Sequence, residues 1–122
     1  MYLVNVKIRR AGDKPVNEQY LVEAVSLTDV EVKVTDVFQG EEIEIMSCKV
    51  INFTEVFDLN DEDDNLFFEI KLELKTLDDK VVKELYLQEA IDEPTARRVF
   101  TGHLIEGDIV SFIKKPYVSI IR

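Results

Sequence analysis

Asp13-Lys14-Pro15-Val16-Asn17-Glu18-Gln19-Tyr20-Leu21-Val22-Glu23-Ala24 returns 66 residues later as Asp79-Lys80-Val81-Val82-Lys83-Glu84-Leu85-Tyr86-Leu87-Gln88-Glu89-Ala90, with eight of twelve positions identical. Over the whole overlap eleven of 56 aligned pairs are identical, adding Thr35/Thr101, Ile43/Ile109 and Lys49/Lys115. Chance alone would give roughly three or four, so the chain reads as one unit written twice. Apolar character repeats as well, with Tyr2, Val4, Val6 and Ile8 falling on Phe68, Ile70, Leu72 and Leu74.

Outward from this stretch each copy predicts the same order of elements. Tyr2–Arg9 and Phe68–Lys75 alternate apolar and polar residues, the period of a half-buried strand. Turns at 11–14 and 77–80 are short enough to make hairpins into second strands at about 16–24 and 81–90. The period then changes. Ser26 is a hydroxyl cap with Asp29 three residues on, and Val30, Val34, Val37 and Phe38 recur at helical spacing. In the second copy Asp92 is the cap, Pro94 sits in the first turn, and Ala96, Phe100, His103 and Leu104 form the stripe. Gly40 and Gly107 close the two helices. A β-rich segment ends each copy, 42–57 in the first and 108–121 in the second, where Pro116 breaks it.

The expected class is α+β, a tandem duplication of a strand-strand-helix-strand unit. Its first copy is residues 1–58, an acidic linker covers 59–65, and the second copy is 66–122. A three-stranded sheet with one helix leaves apolar surface uncovered, so the copies are expected to shield each other as one pseudo-two-fold domain. Packed helix layers or a single six-stranded sheet would both achieve this.

The chain has 122 residues, 25 acidic and 15 basic side chains, a net charge of −10 and 46% hydrophobic residues, enough for a core. Phosphate binding rests on Lys and Arg, so this charge disfavours duplex DNA. No apolar run is long enough to span a membrane, and the start of the chain, charged by Lys7, lacks a secretory pattern. The single cysteine, Cys48, has no internal partner, which fits a reducing compartment and a cytoplasmic location.

Catalytic constellations are missing from the sequence: there is no Gly-rich phosphate loop, no Ser elbow, no Cys pair, and one histidine, His103. No cofactor is implied. His103 reads as a helix-end packing residue and Cys48 as a small hydrophobe in a strand. The acidic linker has a calcium-like spacing in Asp58, Asn60, Glu62 and Asp64, with Glu69 at the twelfth place. Asp63 stands where such a loop needs Gly, and a strand follows where a helix should start, which favours a solvated connector. Tyr20, Leu21, Ala24, Tyr86, Leu87 and Ala90 are expected to pack between sheet and helix in both copies. Lys7, Arg9, Arg10, Lys14, Lys114 and Lys115 are the candidate contacts for single-stranded nucleic acid, with Tyr2, Phe67, Phe112 or Tyr117 as stacking rings.

The run Glu18-Gln19-Tyr20-Leu21-Val22-Glu23-Ala24-Val25-Ser26-Leu27-Thr28-Asp29 resembles a family of uncharacterised domains of Bacteroides-type bacteria and their tailed phages, including crAss-like phages. Glu84–Asp92 is similar to that family's weaker second copy. The resemblance implies a phage or mobile-element origin, hence host cytoplasm or virion, and no chemistry. The expected function is a non-enzymatic interaction or structural module with a protein partner. The alternative is a protein binding single-stranded nucleic acid or a nucleotide, acting in replication or against host defence.

Overall fold

The computed structural model describes residues 1–58, 65–104 and 106–122. It contains β1 (Tyr2–Arg9), β2 (Val16–Val22), α1 (Leu27–Val37), β3 (Glu42–Val50), β4 (Glu55–Phe57), β5 (Leu66–Lys75), β6 (Val81–Ala90), α2 (Glu93–His103), β7 (Asp108–Lys115) and β8 (Tyr117–Ile121). The class is α+β. The chain forms two compact units: unit 1 is Met1–Ile51 with Pro116–Arg122, and unit 2 is Asn52–Lys115.

Each unit holds one four-stranded sheet and one helix. The sheet of unit 1 runs β3-β1-β2-β8 and that of unit 2 runs β7-β5-β6-β4. A six-stranded sheet is therefore not formed, and each terminal β segment is two strands where the sequence suggested one. The first of the two stays with the hairpin that precedes it. The second pairs parallel with the other hairpin: β8 with β2, and β4 with β6.

The hairpin registers coincide after displacement by 66 residues, with Tyr2 opposite Val22 and Phe68 opposite Gln88. The β1–β3 ladder breaks between Asn5 and Val6, and the β5–β7 ladder breaks between Lys71 and Leu72, the same two positions. Beyond the helices the displacement becomes 64. Val6 faces Ile45 while Leu72 faces Ile109, and Asn5 faces Ser47 while Lys71 faces Ser111. The Ile43/Ile109 and Lys49/Lys115 identities are thus not structurally matched. Gly107 marks the tighter path into β7: its φ is +105°, and a Cβ there would lie 2.9 Å from Leu74 Cδ2 and 3.2 Å from the Glu73 carbonyl.

Caps and burial explain why the valine-rich α1 forms. Ser26 Oγ accepts from the Asp29 N–H at 3.1 Å while the Asp29 carboxylate accepts from the Val25 N–H at 3.0 Å, a reciprocal cap. Four valines cost about 0.5 kcal/mol each in helix propensity. Fully burying Val30 and Val34 returns about 1.5–3 kcal/mol each, so packing wins. Val37, expected on the stripe, is exposed, and Phe38 takes the buried place. α2 is capped by Asp92, whose Oδ1 accepts from the Thr95 N–H at 2.8 Å, and it buries Ala96 and Phe100.

In unit 1 the core is Val4, Val6, Ile8, Tyr20, Val22, Val30, Val34, Phe38 and Ile121, between sheet and helix. In unit 2, Phe68 packs with Ala90 and Ala96, and Ile70 and Leu72 pack with Phe100. One polar side chain interrupts the second core. Gln88, 3% exposed, occupies the place of Val22, and among the described residues its Oε1 has no hydrogen-bond partner. Gln88→Met keeps the volume and removes the orphaned acceptor, while giving up the Nε2–H that Gln88 donates to the Glu89 carbonyl at 3.0 Å. The unpaired buried oxygen is the larger cost, so a gain of up to about 1 kcal/mol is expected, read as a higher midpoint in urea denaturation. A lower midpoint would mean that the bond to Glu89 outweighs the orphaned oxygen.

A cavity with an aromatic floor in unit 2

Glu84 and Tyr86 stand two residues apart on β6, so strand alternation puts both on the helix-facing side of the sheet. The Tyr86 hydroxyl donates to Glu84 Oε2 at 2.8 Å. β4 runs alongside and sets Phe57 opposite Gln88, which lays its ring parallel to Tyr86 with centroids 6.2 Å apart. Phe57 also stacks on His103, the last residue of α2, at 4.6 Å and 4°. Phe100, one helical turn earlier, meets Phe57 and Tyr86 edge-on at 6.1 Å and 5.5 Å.

These rings floor a cavity of about 240 Å³, walled by Leu72, Leu74 and Leu104 and rimmed by Glu55, Glu84 and Glu106. Among the described residues none of the three carboxylates is paired with a cation. Burial, the hydrogen bond to Glu84 and the charges of Glu84 and Glu55 push the Tyr86 phenol up to about 12. Tyr86 is therefore a neutral donor at physiological pH and not a base. The arrangement offers flat π faces and unneutralised negative charge, which suits an organic cation.

Unit 1 repeats the pair and fills it. The Tyr20 hydroxyl donates to Glu18, and Arg10 reaches both Glu18 (3.5 Å) and Glu41 (3.2 Å). Phe38 closes the corner edge-on against Tyr20 at 5.3 Å. Burial and the Glu18 hydrogen bond raise the Tyr20 phenol as well. Arg10 lies in the turn after β1, where its carbonyl accepts from the Asp13 N–H. The Thr76 carbonyl accepts from the Asp79 N–H at the matching place after β5. Thus Thr76 stands in unit 2 where unit 1 has its guanidinium.

Tyr20, Tyr86, Ala24 and Ala90 lie on the helix-facing side. Leu21 and Leu87 are fully buried but alternate to the opposite side of their strands, outside the sheet-helix clusters. Of the proposed nucleic-acid cations, Arg9 pairs with Glu42 at 3.9 Å, Arg10 with Glu18 and Glu41, and Lys115 with Glu69 at 3.8 Å. Lys7 and Arg9 line a second hollow with Glu42 and Glu44, while Lys14 and Lys114 are exposed. The rings meant to stack on bases are mostly withdrawn: Phe67 is 2% and Tyr117 5% exposed, and Phe112 lies under the Arg97 guanidinium at 4.3 Å. Lys7, Arg9, Arg10 and Lys14 belong to unit 1, Lys114 and Lys115 to unit 2.

Asn60, Glu62 and Asp64 lie outside the described residues. Asp58 follows β4, and Glu69 is in β5. No cluster of metal-ligating side chains occurs among the described residues. Cys48 packs against the unit 1 core, and burial pushes its thiol up. His103 is exposed at its helix end and stacked on Phe57, a packing role that also makes it part of the cavity wall. The repeated Glu-x-Tyr pair was visible in the sequence. Phe57, Glu55 and Glu106 carried no sequence signal, because only the parallel placement of β4 and the α2–β7 connection bring them to that pair.

No described helix is long and apolar enough to cross a membrane. A family profile described as a domain of unknown function (DUF4494) matches residues 2–99. No curated protein and no solved structure matches the chain.

Proposed function

The chain belongs to the DUF4494 family of domains of unknown function, and on that footing we propose that it is a non-enzymatic interaction module that captures a positively charged segment of a partner protein in the unit 2 cavity. The observation that carries this reading is the aromatic floor ringed by Glu55, Glu84 and Glu106, with no cation of the chain's own among the described residues. The net charge of −10 adds a long-range attraction for a basic partner. The raised pKa makes Tyr86 a weaker acid, which serves binding and not proton transfer.

The same reading includes a doubled ancestral unit. Matching hairpin registers, a ladder break at the same two positions and two capped eleven-residue helices support it. A doubling leaves two equivalent corners, of which one is closed internally and the other is free to serve recognition.

Calorimetric titration with an eight-residue peptide of alternating Gly and Lys or Arg tests the reading. Saturable one-to-one binding is expected, weakened about tenfold or more by the Glu84→Gln/Glu106→Gln pair and reduced at high salt. Absence of binding at low salt would overturn it. A single-stranded oligonucleotide should not bind, and an oligonucleotide that binds while the peptide does not would restore the nucleic-acid alternative.

A further inference from the structure

We infer that the unit 2 cavity holds the guanidinium of an arginine side chain carried by the partner polypeptide. The inference rests on the cationic-segment reading above and names the side chain. Unit 1 supplies the template. There the matching Glu18–Tyr20 pair is occupied by Arg10, which also reaches Glu41 in the α1–β3 connection. Unit 2 keeps the Glu84–Tyr86 pair and has Glu106 in the corresponding α2–β7 connection. It places Thr76 where Arg10 would be and leaves about 240 Å³ of open space.

Three features select a guanidinium over an ammonium. His103, Phe57 and Tyr86 are nearly parallel rings, at 4° and 6°, and the π faces of such rings suit a planar ion that stacks flat. Glu84 and Glu106 approach from different elements, and a guanidinium's fixed fork of five N–H donors can serve two carboxylates at once, whereas an ammonium acts as a hydrated point charge. The unit also shows the stacking preference itself, with Arg97 lying 4.3 Å over the Phe112 ring. The volume is below the range of about 300–1,000 Å³ typical of small-molecule pockets and accommodates one side-chain head. The carboxylate rim repels the α-carboxylate of a free amino acid, which points to a residue within a peptide chain.

The test is an NMR titration of the full chain with acetyl-Gly-Arg-Gly-amide, its lysine counterpart and free L-arginine, following the Tyr86, Phe57 and His103 ring resonances. The arginine peptide is expected to shift all three and to bind about tenfold or more tighter than the lysine peptide and tighter than L-arginine. Thr76→Arg should place an internal guanidinium in the cavity and weaken the arginine peptide about tenfold or more with the amide spectrum otherwise preserved. Should that variant fold poorly, Glu84→Gln, which keeps the shape and loses the charge, should weaken it to a similar degree. Equal affinity for the two peptides overturns the guanidinium assignment while leaving cation capture standing, and peptide affinity untouched by both variants overturns both. Tighter binding of L-arginine than of the peptide overturns the polypeptide source. No shift of cavity resonances with either peptide removes the cation-capture reading itself.

Discussion

Removing Pro116–Arg122 is expected to strip hydrogen-exchange protection from β1 and β2, which lie about 95 residues or more upstream, before it disturbs β5 and β6, which are nearer in the chain. β8 is the outer strand of the unit 1 sheet, with Leu21 opposite Ile120 and Val22 opposite Ile121. The Glu23 N–H donates to the Ile121 carbonyl at 2.8 Å. Tyr117 and Ile121 are 5% and 6% exposed, and Ile121 belongs to the unit 1 core. Losing two such side chains costs about 1.5–3 kcal/mol each. A total of about 3–6 kcal/mol is a large part of the 5–15 kcal/mol that holds a typical domain together. Protection of the β1 and β2 amides should therefore fall by about two to four powers of ten, measured residue by residue. Earlier loss in β5 and β6 would contradict the placement of β8 in the unit 1 sheet.

That result would also mark the boundary of what the sequence discloses. Hairpins β1–β2 and β5–β6 were legible because alternation and turn residues are local signals, and because Glu18–Ala24 and Glu84–Ala90 repeat nearly unchanged. The helices were legible through Ser26 and Asp92, whose side chains do cap them. The terminal segments are less legible, for two reasons. A displacement of 66 aligns Ile43 with Ile109, whereas the chain reaches the same rung two residues sooner in the second unit, so Ile45 and Ser47 hold the rungs that match those of Ile109 and Ser111. Nor does any local pattern state that Glu55–Phe57 pairs parallel with Tyr86–Gln88. Parallel pairing joins segments far apart in the chain, and its register is fixed by what each side chain meets on arrival. The cavity inherits that difficulty, since Phe57 is its central ring.

Phe100→Ala is expected to cost about 3–5 kcal/mol, the usual toll for deleting a buried aromatic ring. Phe100 is 2% exposed, packs on Ile70 and Leu72, and touches both Phe57 and Tyr86 edge-on. Unit 1 has the smaller Val34 at the matching position, where the edge-on contact to Tyr20 comes instead from Phe38. In unit 2 Leu104 holds the Phe38 place, and the edge-on ring against the phenol comes from Phe100, one turn earlier in the helix. Urea denaturation should show the loss as a lower midpoint with little change in slope. The milder Phe100→Leu keeps most of the burial and permits a second reading at the site. Burial is the first cause of the raised Tyr86 pKa. With the ring gone, water reaches the hydroxyl, the phenolate is less disfavoured, and its titration should move down from about 12 toward the ordinary tyrosine value near 10. Ultraviolet titration of the folded variant resolves this, provided Tyr86 is assigned by comparison with Tyr86→Phe. An unchanged Tyr86 titration in Phe100→Leu would show that Glu84, not the aromatic floor, sets the state of the phenol.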